Sequence, residues 1–379
     1  MRLVVLTPND PASPGGIERF TSTLVPLLRE RGWEVAVYWP RAQDREVPAA
    51  LEKVGLAPAV AALRAARRHR EAIAGADAVL ANGVMGWPVR HPHKAVVFHG
   101  NYAGYARAIR SSVSSAEYVR TRYVHGGLMA LGGALGTAVE VSRTAAAEIR
   151  RYYGLRRVAV IENGIVPGSF AGGDGAAARA RHGLPDGPLV LFAGRLEYRK
   201  GDDVLRELPR LLPPGSTLVV AGPRPLERPG VVNLGHQGPD AMRDLLAAAS
   251  VSVQPTRHEG SSFALIEAQD AGLPLVTCRQ GHVAEMLERE PALRPTVIPR
   301  LEAPLLAERV RLLLADPDLA VQVAEAGRRY AGEHHDAAVM ADRYDALLRG
   351  RGEWRPRRAA HAPVSRLRQP AGRAVGEAS

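Results

Sequence analysis

Short apolar runs rich in β-branched residues alternate with longer amphipathic stretches along most of the chain, and this rhythm limits the folds open to it. Consecutive parallel strands need a long crossover connection, so regular strand and helix alternation is typical of parallel sheets covered by helices. The runs with strand character are too many for one sheet of ordinary size. They are RLVVLT, EVAVYW, DAVLA, KAVVFH, TAVEV and RVAVI, then PLVLFA, STLVVAG, VVNLG, SVSVQP and LPLVTC. The sequence therefore predicts an α/β protein with two doubly wound parallel sheets.

A stretch rich in glycine, proline and alanine interrupts the rhythm at residues 162–185 and predicts a domain boundary. We place the two domains at 1–163 and 164–332. The tail at 351–379 has seven arginines, two glutamates and no periodicity, and we expect it to be poorly ordered. The tail holds much of the net charge of +11, so the remaining chain is only mildly basic and predicts no specific nucleic-acid partner.

The composition is that of a soluble globular protein, with 379 residues, 46% of them hydrophobic and 23% charged. The apolar start LVVLT is too short for a signal peptide, and no run approaches the ~20 apolar residues that span a bilayer. These features predict a cytoplasmic location. The run VHGGLMALGGALGTAV is apolar but short and rich in glycine, which predicts a buried helix. Cys278 is the single cysteine, and its apolar neighbours predict a buried, unreactive thiol rather than a disulfide or zinc site.

The segment TRHEGSSFALIEAQDAGLPLV, residues 256–276, joins a buried strand to a helix that ends at Gly272. Glu259 and Glu267 bracket the turn between the two elements. In parallel sheets such turns lie at the carboxyl ends of the strands, where ligands bind. The segment therefore predicts a ligand site. His258 is interpreted as structural and is left out of the catalytic set.

A glycine pair, Gly15 and Gly16, follows the first strand and opens a helix at about Ile17. Backbone N–H groups at such a helix start bind anions, and glycine lets the ligand approach closely. A tight structural turn explains the pair equally well. Neither G-x-G-x-x-G nor a Walker loop is present, which argues against a dinucleotide cradle and a P-loop.

Two cations and a histidine also follow predicted strands. Arg195 and Lys200 lie five residues apart, so they could converge on a pyrophosphate, although a solvated loop fits the same spacing. Asp202 and Asp203 are interpreted as helix-capping residues rather than metal ligands. His99 is placed to hydrogen-bond a sugar hydroxyl or accept a proton, although a lone histidine is usually structural.

Taken together, these segments resemble the retaining, nucleotide-sugar-dependent glycosyltransferases of family four. The motifs concerned are GGIERF, VSRTAAAEI, VIENGI, AGRLEYRKG and HEGSSFALIEAQDAGLPLV, within a resemblance that covers about residues 1–348. It implies the GT-B architecture, in which two Rossmann-like domains face each other across a cleft. The N-terminal domain would bind the acceptor, the C-terminal domain the nucleotide sugar, and a last helix at 333–350 would cross back to the N-terminal domain.

The resemblance implies retaining hexosyl transfer from a UDP- or GDP-linked sugar to a hydroxyl acceptor, such as a natural product or a cell-envelope saccharide. Glu267 would accept hydrogen bonds from both ribose hydroxyls, and Glu259 would hold a hydroxyl of the transferred sugar. Arg195 and Lys200 would stabilise the departing diphosphate in place of a metal ion, so no cofactor and no metal are expected. His99 would contact the donor sugar. The predicted catalytic set is His99, Glu259, Arg195 and Lys200.

The same resemblance assigns backbone groups to the donor. Amides of Phe263 and Ala264 would face the phosphates, and Gly16 would approach them from the N-terminal domain. Backbone groups around Gly235 would bind the base. The predicted donor-binding set is Gly15, Gly16, Arg195, Lys200, His236, Gln237, Glu259, Ser262, Phe263, Ala264 and Glu267.

The sequence departs from the family pattern at two places. Ser261 and Ser262 stand where Phe-Gly often follows the first glutamate, which adds side chains near the donor sugar. RQGHVAEML replaces a Gly-Gly-x-Pro-Glu pattern, so Glu285 is a loose match without an assigned role.

Three alternative functions stay open at this stage. A peripheral-membrane transferase with a lipid-linked acceptor would use the basic stretches RAARRHR or YARAIRSSVSSAEYVRTRY to bind anionic headgroups, although a solvated helix face is the favoured explanation of arginines at this density. A membrane surface is therefore not the favoured partner. A non-catalytic nucleotide-sugar-binding protein, and a GT-B relative that hydrolyses or epimerises nucleotide sugars, are the other two. The oligomeric state is left open.

Overall fold

The computed structural model describes residues 1–350, and the prediction of a poorly ordered tail at 351–379 lies outside the described residues. Two six-stranded sheets organise the described chain, and every strand pair in them is parallel. The predicted fold class is confirmed.

The first sheet has the strand order β2-β1-β3-β4-β5-β6. Its strands are β1 Arg2–Leu6, β2 Glu34–Tyr38, β3 Ala78–Asn82, β4 Lys94–Val97, β5 Thr137–Glu140 and β6 Val158–Val160. The second sheet has the order β12-β11-β10-β7-β8-β9. Its strands are β7 Leu189–Ala193, β8 Thr217–Ala221, β9 Val231–Gly235, β10 Val251–Gln254, β11 Leu275–Cys278 and β12 Val297–Ile298. All eleven predicted strands form, and the two-residue β12 was missed because so short a strand has no periodicity to detect.

Helices cover both faces of each sheet. Those associated with the first half are α1 Gly16–Glu30, α2 Ala42–Arg45, α3 Ala49–Lys53, α4 Ala57–Arg68, α5 Arg70–Ala74, α6 Tyr102–Ala108, α7 Ser115–Val119, α8 Gly126–Ala134 and α9 Arg143–Tyr153. Those of the second half are α10 Gly175–His182, α11 Asp202–Glu207, α12 Pro239–Ala248, α13 Phe263–Asp270, α14 Val283–Arg289, α15 Ala303–Ala315, α16 Pro317–His334 and α17 Ala337–Leu348. A π-helical segment, Arg120–His125, joins α7 to α8. Among residues 1–350, no helix is long and apolar enough to cross a membrane.

Side chains alternate between the two faces of a strand, and both faces of the sheets are buried. In β1, Leu3 and Val5 pack into one apolar cluster with Phe20 of α1, while Val4 and Leu6 pack into another on the opposite face. The continuous apolar runs of the sequence are a direct consequence of this burial on both faces.

The chain passes between the two sheets twice, and the two passages are joined. The backbone N–H of Ile165 donates to the carbonyl of His335 at 2.8 Å, and the N–H of Ala337 donates to the carbonyl of Ile165 at 2.8 Å. Helix α17 then packs against α1, where the Phe20 and Tyr344 rings meet edge to face. The last helix of the described chain therefore lies on the first sheet's side although it follows the second sheet in sequence.

The run predicted as a buried helix is buried on one face only. Gly126, Met129 and Gly133 of α8 are buried, but Leu131 and Leu135 are 41% and 36% exposed. The expectation was wrong for the outer face, because the glycines that pack closely inward leave the leucines on the solvent side.

Candidate functional site

The carboxyl edges of the two sheets meet at a pair of glycines. Gly100 follows β4 of the first sheet, and Gly260 follows β10 of the second. A Cβ atom at Gly260 would lie 3.1 Å from the backbone N of Gly100 and 3.1 Å from the carbonyl carbon of His99. Both distances are shorter than ordinary van der Waals contact, so glycine favours this close approach, which brings the loops of both sheets around the turn that the sequence singled out.

Glu259 lies in that turn between two cations. Its Oε2 accepts hydrogen bonds from Lys200 Nζ and from Arg199 Nη1, the latter at 2.9 Å. Burial alone would raise the pKa of Glu259, but Lys200 and Arg199 outweigh it and lower the pKa to about 2. Glu259 is therefore ionised at neutral pH and already carries charge-assisted hydrogen bonds.

The structure brings Lys200 to Glu259 but not Arg195. Arg195 is exposed and has no hydrogen bond or ion pair with any other residue of the described chain. Arg199, which sequence reasoning missed, takes the second cationic place and also binds Glu197 Oε1 at 2.6 Å. The tight turn at Tyr198–Lys200 turns these consecutive residues toward the same carboxylate. The adjacent Arg-Lys pair was the available signal, and it was passed over in favour of the five-residue spacing.

Glu267 is the fifth of the eight residues of α13 and is buried. Its Oε1 is 3.3 Å from Nη1 of Arg19, which projects from α1 across the interface between the sheets. Burial raises the pKa of Glu267, and Arg19 opposes that shift. The Arg19 guanidinium also lies over the Phe170 ring, 5.1 Å from its centroid. The sequence did not indicate this partner.

The two glycines at the start of α1 have different surroundings. A Cβ at Gly15 would be 2.1 Å from Oε2 of Glu18, whose other carboxylate oxygen accepts a hydrogen bond from Asn9 at 2.7 Å. A Cβ at Gly16 would meet nothing within 4 Å. Of the pair, Gly16 therefore faces open space and Gly15 faces a carboxylate of its own helix.

His99 follows β4 with φ of 53°, a left-handed conformation that is uncommon outside glycine. Its Nε2 is 2.8 Å from Oδ1 of Asn82, an acceptor, so the neutral ring donates from Nε2 and keeps Nδ1 free to accept. The ring meets Phe20 edge to face at 4.6 Å. Burial lowers the pKa of His99 to about 3, so the ring is neutral at pH 7 and a poor proton acceptor. The surroundings favour hydrogen bonding over proton transfer.

Helix α13 starts at Phe263 and Ala264, and no side chain caps its first turn. Ser262 precedes them and is buried. Beneath this turn lies a small cavity whose lining includes Gln254, Thr256 and His282. Several buried polar atoms around the turn have no hydrogen-bond partner in the described chain: Gln254 Oε1, Thr256 Oγ1, Ser261 Oγ and His282 Nε2. Such unpaired groups are uncommon in native proteins and indicate room for water or a ligand.

The remaining predicted positions lie farther along the same sheet edge. Gly235 ends β9 with φ of 70°, His236 after it is exposed, and Gln237 Nε2 donates to the Leu234 carbonyl at 2.6 Å. No hydrogen bond joins His236 or Gln237 to the turn at Glu259 within residues 1–350. They follow β9, the edge strand, which is separated from β10 by β7 and β8.

Two structural expectations have different outcomes. Asp202 and Asp203 do lie in the first turn of α11, but neither side chain caps the helix, so the capping interpretation was wrong. Asp203 instead binds Arg257 through both oxygens, at 2.7 and 2.6 Å, because Arg257 projects from the loop after β10 toward α11. Cys278 is buried, as predicted, and burial raises the pKa of its thiol to about 12, which disfavours the reactive thiolate.

Additional contacts between the two halves were missed by sequence reasoning. His258 Nε2 is 3.0 Å from Oε2 of Glu148 on α9, and Asn101 Nδ2 donates to the same oxygen at 2.6 Å. Burial opposes ionisation of Glu148, but His258 outweighs it and lowers the pKa of Glu148. Oε1 of Glu148 has no partner in residues 1–350 and is not sealed from solvent.

Glu285, which had no assigned role, is also an interface residue. It accepts from Arg143 Nε at 3.1 Å and from the backbone N–H of Thr144 at 2.9 Å, at the start of α9. No group of three or more His, Cys, Asp or Glu residues with the arrangement of a metal site occurs in the described part of the chain.

Two family models match this chain in succession. The model described as Glycosyltransferase Family 4 matches residues 14–168, and the model described as Glycosyl transferases group 1 matches residues 187–316. The first match covers α1 and most of the first sheet, and the second covers Lys200, Glu259 and Glu267.

Curated relatives are similar over part of their length. A D-inositol 3-phosphate glycosyltransferase from Streptomyces bingchenggensis is 31% identical over 58% of this chain and 54% of its own. A glycogen synthase from Mycobacterium tuberculosis is 33% identical over 54% of this chain and 52% of its own. The chain thus spans about half the length of the curated relatives it matches.

Solved structures are similar in fold across nearly the whole chain. Sucrose-phosphate synthase from Thermosynechococcus elongatus superposes with a TM-score of 0.74 at 19% identity, covering 92% of this chain and 98% of that one. HepE from Anabaena, solved in complex with UDP-glucose, superposes with a TM-score of 0.69 at 17% identity, covering 92% of this chain and all of that one. The two facing parallel sheets are therefore the GT-B architecture.

Proposed function

The chain belongs to glycosyltransferase family 4, and on this premise we propose that it transfers a sugar from a nucleoside diphosphate sugar to a hydroxyl acceptor with retention of configuration. The observation that supports this most strongly is the arrangement around α13. Glu259 lies in the turn before the uncapped start of α13, beside Lys200 and Arg199, and Glu267 lies about one turn into that helix. Carboxylates accept hydrogen bonds from sugar hydroxyls, whereas the N–H groups of a helix start and cationic side chains bind phosphates.

The chemistry follows from where charge develops. As the glycosidic bond breaks, negative charge grows on the departing diphosphate, and preorganised cations nearby stabilise it. In the structure, Lys200 and Arg199 both donate hydrogen bonds to Glu259. When Glu259 turns to a sugar hydroxyl, both cations become available to the phosphates. Arg195, exposed and without a described partner, would close over the diphosphate from the β7 loop.

The other predicted donor contacts come from the first sheet's side. Gly16 faces open space at the start of α1, and His99 offers Nδ1 as an acceptor for a hydroxyl of the donor sugar. Because His99 is neutral, the proposal gives it an orienting role. The departing phosphate would accept the acceptor's proton, on the same face from which the acceptor attacks.

On the acceptor side, Glu148 would bind a hydroxyl of the acceptor. Asn101 and His258 hold one of its oxygens and leave the other free, so the carboxylate is positioned to accept a hydrogen bond from an acceptor hydroxyl. The relatives whose printed names give an acceptor, inositol phosphate and glycogen, are consistent with a polyhydroxylated acceptor for this chain. We place the reaction in the cytoplasm, as the composition predicts.

A thermal-shift screen of UDP and GDP, followed by mass spectrometry of reactions with a panel of sugar and polyol acceptors, tests the proposal. A diphosphate at ~100 times its dissociation constant should stabilise the fold by about 2.7 kcal/mol. A product heavier than its acceptor by one sugar supports transfer. Binding without any product would favour the non-catalytic alternative, and free or isomerised sugar without acceptor product would favour hydrolysis or epimerisation.

A further inference from the structure

An exposed apolar stripe runs along the helical segment from α7 through the π-helical turn to the end of α8. Val119 is 51% exposed, Tyr123 63%, Leu131 41% and Leu135 36%, and the exposed Gly127 lies between them. These five residues follow each other at intervals of four. No charged side chain occupies a position of the stripe.

The π-helical turn explains why residues four apart stay on one side. In a regular α-helix, with 3.6 residues per turn, such a series drifts steadily around the axis. The π-helix at Arg120–His125 bonds i to i+5 and holds more residues per turn, which turns the series back. Short π segments of this kind often mark functional sites. The stripe is therefore a feature of this backbone geometry.

Cations border the stripe on both sides. On one side, the Arg122 guanidinium lies over the Tyr118, Tyr123 and Tyr152 rings at 5.3 to 6.0 Å. Further guanidinium groups stack on the same tyrosines: Arg107, Arg110 and Arg151. On the other side, Arg120 donates to the Lys53 carbonyl, and the next residue, Val54, is 48% exposed.

We propose that this surface, Val119, Tyr123, Gly127, Leu131 and Leu135 with its arginine and lysine border, docks the protein on an anionic phospholipid bilayer. An apolar face bordered by Arg and Lys, with tyrosine between the two, matches the boundary between headgroups and acyl chains. Basic residues near an anionic membrane add electrostatic attraction that weakens as salt rises. The stripe lies in the interface plane and does not span it.

A second copy of the chain fits this surface less well than a bilayer. In a symmetric dimer the same patch meets itself, so the cations that border one stripe would approach those of the other. An anionic bilayer has the opposite charge and accepts the apolar side chains without requiring a complementary shape.

The surface also lies beside the cleft. The segment just before the stripe reaches the second sheet's side, where Ser111 Oγ and the Tyr198 hydroxyl are 2.8 Å apart. Tyr198 precedes Arg199 and Lys200 in the turn at Tyr198–Lys200. Docking would therefore place the mouth of the cleft near the headgroups. The docking proposal itself does not depend on the proposed function.

Vesicle flotation of the full chain tests it. We expect binding to vesicles of phosphatidylcholine with phosphatidylglycerol, weak binding to phosphatidylcholine alone, and loss of binding at high salt. The triple variant Val119→Ser, Tyr123→Ser, Leu131→Ser should reduce partitioning about tenfold or more, because three apolar side chains no longer enter the interface. The matched control Val321→Ser, Val339→Ser removes apolar side chains that are 57% and 44% exposed on other helices, and it should bind like wild type.

Two results would overturn the proposal. Full-strength vesicle binding by the triple variant would assign any binding to other basic parts of the chain. Failure of the wild-type protein to bind anionic vesicles would refute docking. If light scattering then shows a dimer for wild type and a monomer for the triple variant, the stripe is a self-association surface. Because the replaced side chains are exposed, we expect the variants to fold, and circular dichroism spectra identical to that of wild type check this.

Discussion

Arg19 of α1 and Glu267 of α13 form an ion pair across the two sheets, with 3.3 Å between Nη1 and Oε1. Glu267 is the residue predicted to hold the ribose. Its carboxylate already has a cationic partner, Arg19, from the facing half. A nucleotide must share that carboxylate with Arg19 or displace it. We therefore expect ribose binding at Glu267 to affect a contact that holds the two halves together.

Replacing Arg19 by Gln should make diphosphate binding more sensitive to acid. Burial raises the pKa of Glu267, and Arg19 is the cation that opposes this shift. Without Arg19 the pKa rises further, so the carboxylate is protonated, and its charge-assisted bonds to the ribose are lost, at a higher pH. Calorimetric titration with UDP or GDP at a series of pH values measures the midpoint of this loss. A variant whose midpoint coincides with wild type would show that Arg19 does not control the charge of Glu267.

The two glutamates should affect different measurements. Glu267→Ala should weaken binding of the free nucleoside diphosphate by about one to two decades, because charge-assisted hydrogen bonds are worth roughly 1.5 to 3 kcal/mol. Glu259→Ala should leave that affinity unchanged or improve it, since Lys200 and Arg199 lose their competing carboxylate. Its turnover with the intact sugar nucleotide should fall, because the sugar is no longer oriented. Equal losses of diphosphate affinity in both variants would contradict this division.

Gly16→Ala should weaken diphosphate binding without lowering the stability of the fold. The added methyl group meets no protein atom within 4 Å, so the melting temperature should stay at or slightly above that of wild type. If a pyrophosphate packs against this backbone, diphosphate affinity should fall about tenfold or more. Gly332→Ala in α16, where a methyl group also meets nothing within 4 Å, is the matched control: its melting temperature should likewise stay at or above that of wild type, but its diphosphate affinity should not change. Wild-type affinity in Gly16→Ala would place the ligand elsewhere.

Glu140 should make stability depend on pH. Burial at the end of β5 raises its pKa from 4.5 to about 8, with Gly100 and Val141 N–H groups bound to Oε2. A raised folded pKa means that the folded state holds the proton more tightly, so this stabilisation is complete below about 4.5 and is lost as pH rises through about 8. Glu140→Gln cannot ionise. Its melting temperature relative to wild type should therefore rise between pH 4.5 and pH 8, and a difference independent of pH would refute the shift.

Sugar transfer should survive excess chelator. The proposed site stabilises the departing diphosphate with Lys200, Arg199 and Arg195, so a divalent cation has no necessary role. Initial rates with and without EDTA measure this directly. Complete loss of activity in EDTA, restored by magnesium, would show that these side chains do not replace a metal. Lys200→Ala should lower turnover in either condition.

The sequence by itself determined the class of fold and the approximate place of the site. Eleven strands were predicted because a strand buried on both faces must be apolar along its length, a local property that the runs of Val, Leu and Ala display. Glu259, Glu267 and Lys200 were predicted because polar residues in the segments that lead from such strands into the next helix stand out, and parallel strands bring their carboxyl ends to one edge. These inferences need only the order of residues along the chain.

Only the tertiary structure decided which of these residues meet. Arg19 and Glu267 are separated by most of the described chain, and Glu148 and His258 by 110 residues, so no local pattern pairs them. Arg199 rather than Arg195 reaches Glu259 because the turn at Tyr198–Lys200 sets side-chain directions that spacing alone does not reveal. The exposed stripe likewise depends on a π-helical turn and on which face of α8 the glycines pack. Burial and direction in space arise from the packing of distant segments, and hydrophobic pattern does not specify that packing.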